Sequence, residues 1–150
     1  METLKQDISF SIKKHDIDVF EQLLQGSESQ WWPERMMMKF TNLTGDIKEG
    51  TLYLQKAKFP LGPSWHKRND IIDREKRYLR RTFLDGMFEG GYEEFFVEQN
   101  QNQVNIVYHF CYELKGRCSR IIWDLVYKQL HLMNVQRVLN ALKQYCEANQ

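Results

Sequence analysis

The chain has 150 residues, 21 of them basic and 20 acidic, for a formal charge of +1, and that length suits one domain with a real core. So even a balance offers no general field for nucleic acid or an anionic membrane surface. Three cysteines in no metal-binding spacing (Cys111, Cys118, Cys146) fit the reduced thiols of a cytoplasmic protein, and no run approaches the roughly 18 apolar residues of a membrane span, nor do residues 1–10 hold a signal-peptide core.

Residues 7–13 alternate apolar and polar, with Ile8, Phe10 and Ile12 on one face, which predicts a first strand. Asp16 is placed to cap a short amphipathic helix over 17–24 that buries Val19, Phe20, Leu23 and Leu24. Gly26-Ser27 ends it. Gln30-Trp31-Trp32 predicts one more helical turn, stopped at Pro33. From there the period is two, broken by turn residues, and strands are expected over 36–42, 50–58, 65–72, 78–85, 92–98 and 104–114. Every link between them is short, so neighbours should pair as antiparallel hairpins.

Residues 120–147 contain no Pro or Gly and carry sustained helical spacing. Such a helix is roughly 40 Å long. Ile121, Leu125, Leu132, Val135, Leu139, Leu142 and Cys146 make its apolar stripe, widened by Ile122, Met133 and Val138. A stripe that long needs an equally long cover, and the curved sheet before it has the right size. The expected order is β-α-α-β6-α, an α+β fold in a single domain over 1–150, with no repeat or linker.

Several segments together resemble a known family. They are Gly86-Met87-Phe88-Glu89-Gly90-Gly91, a strand, an Asn/Gln turn, Asn105-Ile106-Val107-Tyr108-His109-Phe110 and the long helix. Val19-Phe20-Glu21-Gln22-Leu23-Leu24 and Trp31-Trp32-Pro33 extend the likeness toward the start. The chain resembles the polyketide cyclase/dehydrase and lipid-transport proteins of the START and birch-pollen-allergen-like (SRPBCC, helix-grip) superfamily. The resemblance implies a seven-stranded antiparallel sheet gripping the C-terminal helix over an apolar cavity. It also implies a hydrophobic small molecule or lipid as ligand. Some relatives are cyclases or dehydratases, and others regulate chaperones without a ligand, so fold alone transfers no activity. Two departures stand out: Glu94, where many relatives carry an aromatic, and the triplet Met36-Met37-Met38.

The ring-rich strands and the resemblance place Phe10, Phe40, Tyr92, Phe96, Tyr108, Phe110 and Met133 in or beside the cavity wall. Pairing 78–85 with 92–98 so that opposed numbers sum to about 175 sets Arg81 opposite Glu94 on the face shared by Leu79, Phe83, Tyr92 and Phe96. That makes Arg81 and Glu94 a candidate charge pair inside the cavity, able to anchor a ligand carbonyl or carboxylate. A one-residue slip at Gly90-Gly91 would break this alignment. Asn134 and His131 lie nearest the helix stripe and could bond a ligand oxygen. The basic run from His66 to Arg81 reads as a solvated sheet surface. No zinc spacing, phosphate loop or nucleophile motif is present, so neither metal nor cofactor is expected. Three functions remain open: a binding or transport module for an apolar ligand, a cyclase or dehydratase acting in the same cavity, or a protein-interaction module. A formed pocket would favour the first two.

Overall fold

Seven strands form one antiparallel sheet in the order β1-β7-β6-β5-β4-β3-β2. They are β1 Glu2–Ser11, β2 Met38–Asn42, β3 Leu52–Ala57, β4 Ser64–Asp73, β5 Tyr78–Phe83, β6 Tyr92–Asn100 and β7 Gln103–Tyr112. The computed structural model describes residues 1–12 and 17–148. Each strand from β2 to β7 pairs with its sequence neighbour, as short connections dictate, and β1 closes the sheet on β7 from Glu2↔Tyr112 to Ser11↔Gln103. Alternate residues on the concave side make up most of the core, among them Ile8, Leu79, Phe83, Ile106, Tyr108 and Phe110.

Between β1 and β2 lies one short helix, α1 Val19–Gln25, which buries Val19, Phe20, Leu23 and Leu24. Asp16, expected as its cap, lies outside the described residues. The Asp18 side chain accepts from the amides of Phe20 and Glu21 and supplies the cap instead. Gly26, at φ 44°, ends the helix, and a 3₁₀ turn, Gly26–Glu28, follows directly, whereas Gln30-Trp31-Trp32, expected as a helical turn, form only a tight turn.

The C-terminal helix fills the sheet's concave side. It begins as α2 Arg117–Ile122, passes through a π-helical turn at Trp123–Tyr127, and continues as α3 Lys128–Ala148. That turn corrects the expected stripe. A π turn holds one more residue than an α turn, so the helix before it is rotated by roughly 100° relative to the helix after it. Leu139, Leu142 and Cys146 point inward as expected, and Trp123 becomes the buried residue of the first turns. Ile121, Ile122, Leu125 and Val126 are turned to solvent, Leu125 to 76% exposure. Among the described residues, no helix is long and apolar enough to cross a membrane.

Candidate functional site

The site begins with alternation along β4. Trp65 is buried on the concave side, so Lys67 and Asn69 must follow it inward, while His66 and Arg68 point away. On β5 the same face carries Leu79, Arg81 and Phe83, and on β6 it carries Glu93, Phe95 and Val97. Lys67, near the start of an expected solvated run, is only 3% exposed at its side chain.

The register of β5 with β6 decides which acid it meets. Phe83 N donates to Gly91 O at 2.9 Å and Gly90 N to Phe83 O at 2.9 Å, so the ladder starts at Gly91. A side chain would not fit there, since a Cβ on Gly91 would lie 2.8 Å from Cys111 O and 2.9 Å from Phe88 O. Arg81 is therefore opposite Glu93, and Arg80 opposite Glu94. The expected Arg81–Glu94 pair is corrected by this single step, and with it the placement of Tyr92, Glu94 and Phe96. All three lie on the convex face, where Arg80 covers the Tyr92 ring at 3.8 Å and Phe96 packs tilted against Tyr78 and edge-on to His109. Glu94 accepts from the Tyr78 hydroxyl at 2.7 Å, and burial together with that bond pushes the Tyr78 phenol up to about 12.

Inside, Lys67 Nζ donates to Glu93 Oε1 at 2.6 Å, and Arg81 Nη1 stands 3.8 Å from the same oxygen. Arg81 Nε donates to Asn69 Oδ1 at 2.9 Å, and its guanidinium lies over the Tyr53 ring at 5.2 Å. The Tyr108 hydroxyl donates to Glu93 Oε2 at 3.1 Å. That hydroxyl has one proton, so the contact of 3.1 Å to His131 is filled by Nε2–H of His131 donating to the tyrosine oxygen. Burial lowers His131 to about 4 despite the nearby Glu93 carboxylate, leaving a neutral ring near pH 7. Burial and the Glu93 charge hold Tyr108 well above an ordinary phenol. Burial works against ionising Glu93, but Lys67 and Arg81 outweigh it and hold the carboxyl below its usual range. Lys67 is lowered because burial and Arg81 together exceed the support from Glu93.

Around this polar group the walls are apolar. Phe88 packs edge-on to Trp65, Phe110 and Trp123, with ring centroids 5.3, 5.0 and 4.9 Å apart. Met36, Met37 and Met38 add flexible, polarizable wall from the β2 side. The cavity is about 120 Å³. A dry cavity of about 150 Å³ takes a benzene ring. Two buried polar atoms on its wall have no partner among the described residues, the Tyr53 hydroxyl and Asn134 Oδ1.

Of the residues expected at the site, Phe40, Arg81, Tyr108, Phe110, His131 and Asn134 line this cavity. Phe10 faces the concave side but is buried in the core at the sheet end that carries α1, where Gln99 bonds Ile17 and Val19. Met133 is half-exposed, for α3 turns it away from the sheet. Lys67 and Glu93 were missed. Alternation from Trp65 was the available signal for Lys67. None distinguished Glu93 from its neighbour Glu94.

No protein-family model and no curated protein sequence matches the chain. Solved structures do. The TTHA0849 protein of Thermus thermophilus superposes with a TM-score of 0.71 at 15% identity over 99% of both chains. The Zhui aromatase/cyclase of Streptomyces sp. R1128 gives 0.69 at 14% identity, over 97% of this chain and 93% of its own. A point mutant of norcoclaurine synthase from Thalictrum flavum, in complex with a transition-state analogue, gives 0.69 at 11%, with the same coverage. At such identities the likeness shows the fold. It is a helix-grip fold, a curled seven-stranded antiparallel sheet with a long C-terminal helix.

Proposed function

We propose that the chain, as a single cytoplasmic domain, binds a hydrophobic small molecule or lipid segment in the cavity between the sheet and the C-terminal helix. The observation that carries this reading is a formed cavity with ring and methionine walls and one buried polar cluster, Lys67-Arg81-Glu93-Tyr108-His131. Apolar walls supply affinity through water exclusion, and a few fixed polar groups supply orientation. A fluorescent neutral hydrophobic dye is the test. It should bind, be displaced by apolar ring compounds, and those compounds should raise the melting temperature. An absence of both effects would overturn the reading.

The hydrogen-bonded chain from Lys67 through Glu93 and Tyr108 to His131 favours one second reading, a cyclase- or dehydratase-like enzyme using the same pocket. The printed names of two neighbours, an aromatase/cyclase and norcoclaurine synthase, accord with it. Glu93 is ionised but already accepts from Lys67 and Tyr108, so it serves binding more readily than proton abstraction. Turnover of an aromatic polyketide-like substrate, lost in Tyr108→Phe, would decide for the enzyme.

A further inference from the structure

The polar end of the cavity is not balanced in charge. Lys67 and Arg81 both face inward, and among the described residues lining the cavity the single acid is Glu93. Their side chains are 3%, 14% and 7% exposed, in that order, so water compensates little. His131 is neutral near pH 7, and Tyr108 keeps its proton. One unit of positive charge is left over in a site where isolated charge is costly. The lowered Lys67 ammonium expresses the same imbalance, since burial and Arg81 act on it more strongly than its shared carboxylate does.

A second observation is independent of charge. Tyr53 is 5% exposed, its hydroxyl has no partner among the described residues, and it sits opposite Lys67 on the neighbouring strand with Arg81 over its ring. A buried donor beside two cations calls for an anionic acceptor. On the helix wall, the unpaired Asn134 Oδ1 calls for a donor. Leaving such atoms unmatched in a buried site is costly.

We infer that the cavity takes a monoanion: a carboxylic acid on a body of one or two rings, its carboxylate seated among Lys67, Arg81 and the Tyr53 hydroxyl. A hydroxyl on the ring body would meet Asn134. This rests on the reading of the cavity as a ligand site and specifies the head group. The bound carboxylate supplies the missing negative charge and accepts the stranded proton, with charge-assisted bonds stronger than neutral ones. A body of one ring matches the cavity's size, and a second ring would extend through its opening.

The test is titration calorimetry near pH 7.5 with cinnamic acid, methyl cinnamate and cinnamyl alcohol, beside a neutral hydrophobic dye. The acid should bind about tenfold tighter than ester or alcohol. Tyr53→Phe should weaken the acid about fivefold and the ester less, because the ester carbonyl accepts a weaker, uncharged bond. Because that hydroxyl has no partner in the folded protein, the variant should melt no lower than the parent. A purely structural Tyr53 would leave acid affinity untouched, which overturns the inference. So does an ester or alcohol binding as tightly as the acid, or a dye that binds where no acid does. Failure of acid, ester, alcohol and dye together overturns the cavity reading itself.

Discussion

Glu93→Gln keeps the shape of the side chain and removes the carboxylate that Lys67 and Arg81 share. Lys67 loses its partner at 2.6 Å, Arg81 its neighbour at 3.8 Å, and the Tyr108 hydroxyl a charged acceptor. Removing one member of a buried ion pair costs about 3–5 kcal/mol, chiefly through the stranded charge. Against a net stability of about 5–15 kcal/mol, that is a large share, and for a domain of this size it lowers Tm by roughly 10 °C or more. Adding Lys67→Met to Glu93→Gln withdraws one of the two stranded cations and should recover part of the loss. Glu94→Gln is the control. It lies on the convex face, and an amide oxygen can still accept from Tyr78, so its cost should be clearly smaller than that of Glu93→Gln. Urea unfolding followed by tryptophan fluorescence measures all three variants, with Trp65 and Trp123 reporting from the core. A Glu93→Gln protein as stable as its parent would refute both the register and the charge accounting.

Acid should weaken the fold through His131. Its folded value of about 4 lies below its ordinary 6.5, so the unfolded chain binds the proton more readily. The stabilisation is complete above pH 6.5, falls through the window and is gone below 4, a change of up to about 3 kcal/mol. An NMR titration of the ring checks it, and a His131 value near 6.5 would contradict it. A chain ending at Lys115 loses Trp123, Leu139, Leu142 and Cys146 from the core, each apolar side chain worth roughly 1.5–3 kcal/mol. It should be insoluble or molten, and cooperative unfolding would contradict this. Gly91→Ala should cost about 1–3 kcal/mol by pressing a methyl on the backbone of Cys111 and Phe88, whereas a neutral result would show that the turn relaxes.

The strands and their order were legible because turn residues and period-two alternation mark them directly. Register was not. The segment Tyr92-Glu93-Glu94-Phe95-Phe96-Val97 carries its acids and rings as doublets, so either face of β6 reads as apolar with one charge. Only the backbone fit at Gly91 breaks the tie. The π turn was equally silent, since Ile121, Ile122, Leu125 and Val126 satisfy an α-helical stripe better than Trp123 does. Lys67 was hidden for another reason: its basic neighbours suggested a solvated run, and the alternation set by Trp65 overrode composition. Arg81 shares its face with Leu79 and Phe83 in either register, so its side of the sheet did not depend on the pairing.

Filling the cavity tests the account most directly. Val135 is a half-buried helix residue on the cavity wall, so Val135→Trp should occupy the space without removing a polar contact. Dye titrations of parent and variant, with circular dichroism to confirm that both are folded, give the stoichiometry and the affinity. The account predicts about one dye per parent chain and none on the folded variant. Equal binding to both would place the hydrophobic site elsewhere on the molecule.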